Sequence, residues 1–420
     1  MGILPHLVLK NVSLPGGRIA DVTMEAGRVV HVGSASPSHE AIDCTNLFVL
    51  PAAVDMHVHM RGGTQSAKED WASGTRSALA GGVTVVLDQP NTVPPLTTPE
   101  LFRQRVADAR AHALCRFAIN SAVTPDTPLE AMWAAGAMAF GETFFAPSSY
   151  GEALGEPALT QSLQRIERLG ALATIHAEDV ATGEDANLIS HDTLRSAAGE
   201  LRAVQNVARC NTTGCRLHLC HLSTADAVDA ATGSVEVAPH HLFLAREQFR
   251  DDDTLGKVNP PLRTDRERRR LWSRWKQIDV IASDHAPHTL PEKRTEFENA
   301  PSGIPGVETM VPLLLACVMK NTITLTDLIK KTSITPAVLL GISPAGFSPG
   351  NRADFALYPK EVSRIDPDTL HSKCGWTPFA GHSAVFPNTV IVDGRIVYTE
   401  GDFFPGSQFW IPGKGYQGNP

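Results

Sequence analysis

Two histidines stand two positions apart in Asp55-Met56-His57-Val58-His59, at the end of an apolar run. In an extended strand residues i and i+2 point to the same side, so His57 and His59 project together and can serve as two ligands on one ion. The pair alone is a weak signal. Sixteen histidines in 420 residues give roughly 0.6 such pairs by chance, and two hydrogen-bonded polar histidines fit equally well. Further residues follow the same pattern of a polar group after an apolar stretch. His176 ends ALATIH and His221 follows CRLHLC; each taken singly also fits a core or surface histidine. Asp284 follows IDVIAS. A carboxylate there is costly to bury unless it binds metal or pairs. Asp284 can ligate an ion and take a proton from water, or it can cap the turn that follows. Glu142, the one acid in AMAFGETFF, can bridge two metals, pair with a cation, or sit solvated at a rim. Four imidazoles converging on one point suit zinc or a similar divalent ion. Such an ion lowers the pKa of bound water to about 7 and polarises a carbonyl. The chemistry indicated is hydrolytic attack on a carbonyl. His288 lies within reach of a substrate, His218 and His241 lack this context and read as structural, and His240 stays open. No glycine-rich phosphate loop, G-x-S-x-G elbow or dinucleotide fingerprint competes.

Positioning these groups requires elements that end at one face. From about residue 49 strand-like runs alternate with helical patterns. The runs are VLPAAVDMHVHM, VTVVLDQ, CRFAINSAV, AMAFGETFF (137–145), ALATIHAED, CRLHLCHLS, SVEVAPHHL and IDVIASDHAPH. Helices are predicted over Trp71–Ala80, Pro99–Ala113, Leu159–Leu169, Thr193–Ala208 and Asp265–Trp275. Eight parallel strands with helical crossovers close a (β/α)8 TIM barrel, whose active sites lie at the C-terminal strand ends. The polar residues above fall at those ends. The first 50 residues, and those after about 345, read instead as short strands with glycine turns that can pair into one small sheet domain. The division expected is 1–50, 51–345 for the barrel, and 346–420. The tail from Phe403 fits a docked arm or disorder.

A net charge of −8 and no clustered basic face argue against nucleic-acid binding. The mixed run Arg263–Arg270 reads as a solvated helix start. Seven cysteines without CxxC spacing suggest a reduced, cytoplasmic chain. The N-terminus does not read as a signal peptide, and no run of 18 apolar residues suggests a membrane span.

The set DMHVHMR, PNT, HAED, CHLST, PHHL, KVNPPLR and SDHAPH resembles the amidohydrolase superfamily, and is similar to its dihydroorotase branch, related to hydantoinases and allantoinases. The resemblance runs from about residue 7 to 400 and includes GNRADFALYP and NTVIVDGRIVYTEG, which look like the family's β-sandwich. It implies that His57 and His59 hold the more buried metal, His176 and His221 the second, and that Asp284 is both ligand and general base and acid. It implies that Arg61 and Asn91 hold a substrate carboxylate, with Asn259 and His288 as further contacts. A guanidinium two residues beyond His59 can fork onto a carboxylate; dihydroorotate carries one, simple hydantoins do not. The implied reaction is reversible, zinc-dependent opening of dihydroorotate to N-carbamoyl-aspartate in pyrimidine synthesis, with a small molecule as substrate and no membrane or nucleic acid involved. A homodimer and association with aspartate transcarbamoylase fit the resemblance. A cyclic-ureide hydrolase of allantoinase or hydantoinase type, and a silent scaffold homologue, are the alternatives. The intact histidines and Asp284 argue against the scaffold. The family commonly places a carboxylated lysine on the fourth strand; here Glu142 is the only substitute, which leaves two Zn2+ ions bridged by Glu142, one ion, or a weakened site. By analogy Pro287–Pro305 holds the loop that closes over substrate.

Overall fold

The computed structural model describes residues 7–35, 40–144, 153–404, 406 and 410–418. The chain opens with strands β1 (Leu7–Ser13), β2 (Ile19–Glu25), β3 (Arg28–Gly33) and β4 (Glu40–Asp43), which form one sheet in the order β3-β2-β1-β4. The next strand, β5 (Leu47–Pro51), pairs antiparallel with a strand from the other end of the sequence, Phe355–Pro359, with Leu50 opposite Ala356. Thr389–Val392 and Arg395–Thr399 extend that second sheet. Leu9, Val22, Met24 and Val29 of the first sheet meet Val49, Phe355, Leu357 and Ile391 of the second in one apolar core. The result is a small β-sandwich built from both chain ends.

The barrel strands are β6 (Ala53–Val58), β7 (Val83–Asp88), β8 (Arg116–Ile119), β9 (Phe140–Phe144), β10 (Leu172–His176), β11 (Arg216–Leu219), β12 (Ser234–Val237) and β13 (Val280–Ile281). β6-β7-β8 and β9 through β13 form two parallel arcs. Parallel bridges from Ser121 to Phe140 and from Val58 to His285 join the arcs into a ring. Every residue of β6, β7 and β10 is buried, as expected of parallel strands covered on both sides. The run VLPAAVDMHVHM, read as one strand, is two. Ala52 interrupts it, so its first part serves the sandwich and its second the barrel.

The crossover helices include α1 (Trp71–Ala80), α2 (Pro99–His112), α3 (Leu129–Ala135), α4 (Glu156–Arg168), α5 (Leu188–Leu194) and α6 (Ala197–Cys210). Asp70 caps α1 by accepting from Ser73 N at 2.9 Å, an interaction of about 1 kcal/mol. The helix predicted over Thr193–Ala208 is broken, because Ser196 leaves helical geometry to cap α6 through Gly199 N. The helix predicted to Trp275 stops at Trp272. Arg263 departs from the solvated reading: it is buried and pairs with Asp192 at 2.7 Å. Phe145 of the fourth predicted strand lies outside the described residues. Of the tail, residues 410–418 dock on the barrel: Ile411 N donates to Phe117 O and Gly413 N to Gly136 O. All seven cysteines are free. Among the described residues no helix is long and apolar enough to cross a membrane.

Candidate active site

The C-terminal strand ends bring His57, His59, Glu142, His176, His221 and Asp284 into one buried cluster, each no more than 6 % exposed. Glu142 sits at its centre. Its Oε1 lies 2.7 Å from His176 Nδ1 and 2.9 Å from His221 Nε2, while its Oε2 faces His57 Nε2 at 3.6 Å. Asp284 Oδ1 lies 3.2 Å from His59 Nε2 and 3.6 Å from His57 Nε2. Two sets of donor atoms, His57–His59–Asp284 and His57–Glu142–His221, each converge within 4.8 Å.

Local backbone geometry makes this convergence specific. Arg61, His221 and Asp284 have φ of 46°, 32° and 45°, a left-handed region rare for side-chain-bearing residues and concentrated at functional sites. Gly141, at φ 129°, precedes Glu142; a Cβ there would lie 2.1 Å from Thr174 O, so only glycine lets β9 approach β10 this closely. Asp55 Oδ1 accepts from His57 N and Ser283 N at 3.2 and 3.0 Å and so ties β6 to the strand end carrying Asp284. Ser223 and Thr224, after His221, both donate to Glu200 of α6.

Three histidines share one arrangement. His57 Nδ1 donates to Glu236 at 3.1 Å, His59 Nδ1 to the Asn91 amide oxygen at 2.8 Å, and His176 Nε2 to Glu178 at 2.8 Å. With the outer nitrogen carrying the proton, the inner nitrogen points a lone pair at a carboxylate oxygen of Glu142 or Asp284. Facing a carboxylate there, the inner nitrogen either holds a proton or shares a metal ion with it. Burial opposes charge on His57, yet the carboxylates of Glu236 and Glu142 hold its pKa well above the ordinary value. Burial likewise opposes charge on His176, and hydrogen bonds to Glu142 and Glu178 bring it up to about 9. Asp284, against the effect of its burial, is held down at about 2 by His59, His57 and His221. The carboxylates thus draw positive charge inward, which a divalent ion on these nitrogen and oxygen donors satisfies. The residues present fit a metal.

The cluster opens into a cavity of about 460 Å³ that Arg61, Asn91, Asn259 and His288 also line. All four substrate contacts implied by the sequence therefore reach it. Arg61 donates through Nε to Pro287 O at 3.3 Å, and its Nη2 lies 3.2 Å from His288 Nε2. Burial brings the Arg61 pKa down to about 10 and leaves it a cation. Asn259 Oδ1 accepts from His191 Nε2 at 2.9 Å, which leaves its amide nitrogen as the group to donate to a bound ring. Asn91 has a second task, since its oxygen orients His59. His240 and His241 are buried on Pro239–Phe243, outside the residues lining the cavity. His218 bonds Glu236 and Ser234. The segment after Pro287 is pinned down: Lys293 Nζ donates to the carbonyls of Lys257, Pro301 and Gly303 at 2.9, 2.9 and 3.2 Å.

Sequence reasoning missed Glu236, Glu178, Lys68 and Arg195. Glu236 is a lone acid in the buried strand Ser234–Val237, so the argument used for Glu142 and Asp284 was open for it too. Glu178 stands two positions past His176, just beyond the end of β10. Lys68 comes from an irregular segment, and Arg195, inside the helix predicted over Thr193–Ala208, sits at the break between α5 and α6.

The amidohydrolase family profile matches residues 48–397. The chain belongs to the amidohydrolase family. Enzymes of this family are metal-dependent hydrolases. The chain is 37% identical to a dihydroorotase of Methanosarcina acetivorans, over 98% of this chain and 96% of that one. It is 37% identical to a dihydroorotase of Halobacterium salinarum, over 94% and 97%. Its fold is shared with an L-hydantoinase from Arthrobacter aurescens, with a TM-score of 0.89, 24% identity and coverage of 97% and 99%. A dihydropyrimidinase from Brevibacillus agri gives a TM-score of 0.87 at 23% identity, over 99% and 100%.

Proposed function

We propose that the chain is a dihydroorotase that opens the ring of dihydroorotate to N-carbamoyl-aspartate and closes it again. The observation that carries this reading is a buried, cationic Arg61 on the same cavity wall as His288, beside a cluster fit for a metal. A neutral hydantoin gives such a buried cation no partner, whereas the carboxylate of dihydroorotate does. The archaeal relatives named dihydroorotase, at 37% identity over nearly the whole chain, support it.

Each residue then has a role. His57, His59 and Asp284 would hold one ion, His176 and His221 a second, with Glu142 common to both; the imidazole and carboxylate donors favour zinc. When bound, the metal supplies an acidified water and polarises the ring carbonyl. Arg61 forks onto the substrate carboxylate, and Asn259 donates its amide N–H to a ring oxygen. Water adds to the ring amide carbon as a C–O bond forms. Asp284 takes the water proton and returns it to the ring nitrogen as the C–N bond breaks. His288 stays neutral: burial, then the charges of Arg61 and Lys68, hold its pKa well below the ordinary value. It packs beside the guanidinium without competing for the anion.

Purified chain with zinc and dihydroorotate should show loss of ring absorbance. No turnover of dihydroorotate, with turnover of allantoin or a hydantoin, would overturn the substrate reading and leave the family intact.

A further inference from the structure

His176 is turned the opposite way from the other two oriented histidines. His57 and His59 point Nε2 into the cluster, whereas His176 points Nδ1 inward, 2.7 Å from Glu142, and sends Nε2 outward. Glu178 faces the outward nitrogen. It is fully buried, two residues beyond His176, and its Oε2 accepts from His176 Nε2 at 2.8 Å. The same oxygen accepts from Arg195 Nη1. Arg195 lies at the junction of α5 and α6, lines the cavity, and has its own carbonyl held by Arg263. Phe144 packs against the His176 ring, with 4.7 Å between centroids.

We propose that Glu178, paired with Arg195, is a positioning residue that makes His176 a Nδ1 ligand and thereby sets the affinity of the ion site His176 shares with His221. The physical reason is the tautomer. An imidazole can offer a lone pair on one nitrogen only when the other carries the proton, and an acceptor on the outer nitrogen decides which one does. Glu178 supplies that acceptor on Nε2, and the Arg195 pair keeps its carboxylate aimed there. Without Glu178 the ring is free to rotate about its side-chain bonds and to carry its proton on the inner nitrogen, where it blocks the ion. This rests on the reading of the cluster as a metal centre.

The test is zinc titration of the full-length chain, stripped by chelation, against a chromophoric competitor, with the thermal midpoint recorded for every variant. Glu178→Leu is expected to weaken one binding step 10- to 100-fold and to leave the other unchanged. Glu178→Gln, which keeps an acceptor and a similar shape, is expected to restore part of that loss. In a His176→Gln background, Glu178→Leu is expected to cost nothing further, because its effect runs through the imidazole; a merely structural role would add to the loss instead. Unchanged affinity in Glu178→Leu while the wild type binds two ions, or additive losses in the double variant, would overturn this proposal alone. A wild-type chain that takes up no zinc, or a His176→Gln chain with wild-type binding, would overturn the metal-centre reading along with it.

Discussion

Glu142 Oε2 and His57 Nε2, both buried, face each other across 3.6 Å, too far for a hydrogen bond. The other oxygen of Glu142 is occupied with His176 and His221. One carboxylate thus faces histidines on both sides, His57 with one oxygen and His176 and His221 with the other. Gly141 lets β9, which carries Glu142, lie close against β10.

Arg61 is expected to govern substrate choice. Arg61→Met should lower kcat/KM for dihydroorotate by roughly 30- to 1000-fold, about 2–4 kcal/mol for a charge left without its buried partner. The effect should fall mainly on KM, and hydrolysis of a ring without a carboxylate, such as dihydrouracil, should lose little. Steady-state kinetics on both rings checks this; equal losses on both would remove Arg61 from the carboxylate site.

Asp284 is expected to act on the proton. Asp284→Asn keeps the shape and removes the base, so kcat should fall by about 10²- to 10⁴-fold with a smaller change in KM. Retention of more than a tenth of the wild-type kcat would assign the proton to another group.

Gly141 is expected to tolerate no side chain. Gly141→Ala places a Cβ 2.1 Å from Thr174 O at a φ of 129°, and should destabilise the fold by about 1–3 kcal/mol. Since the shift falls on Glu142, zinc affinity should drop with it. Thermal unfolding and zinc titration on one preparation read both effects, and wild-type zinc affinity in a folded variant would argue against this placement of Glu142.

Acid should weaken the fold through buried histidines outside the proposed ligand set. Burial, then neighbouring positive charge, holds His241 well below its ordinary pKa, and burial brings His240 down to about 4. A histidine neutral in the fold but protonated when unfolded leaves the unfolded state with more protons below about pH 6.5, so stability rises with pH there and is lost as pH falls. Each such group contributes up to about 1.4 kcal/mol per pH unit between 6.5 and its folded value. Urea midpoints of zinc-loaded protein from pH 7 to 5 should fall, and His241→Phe should reduce the slope by about one proton. Identical slopes would mean that His241 is protonated in the fold.

Much of this site was legible in the sequence because its ligands break a rule. His57, His176, His221 and Asp284 follow apolar runs that otherwise have no use for polarity, and the eight runs themselves name the barrel. Glu236 broke the same rule in the middle of its strand, as Glu142 does, and the same reading was open for it. Lys68 reaches the cavity from irregular chain and Arg195 from the break between α5 and α6, where only tertiary packing decides what a side chain meets. The run across Pro51 and Ala52 reads as continuous because one hydrophobic pattern serves two sheets. The break before α6 depends on a single capping serine, a local competition that periodicity does not register.

Counting zinc ions per chain, with and without Glu142, tests the bridged centre most directly. The wild-type chain is expected to bind two ions and Glu142→Ala one, measured by elemental analysis on folded protein. Two ions in both chains, or a single ion in the wild type, would contradict it.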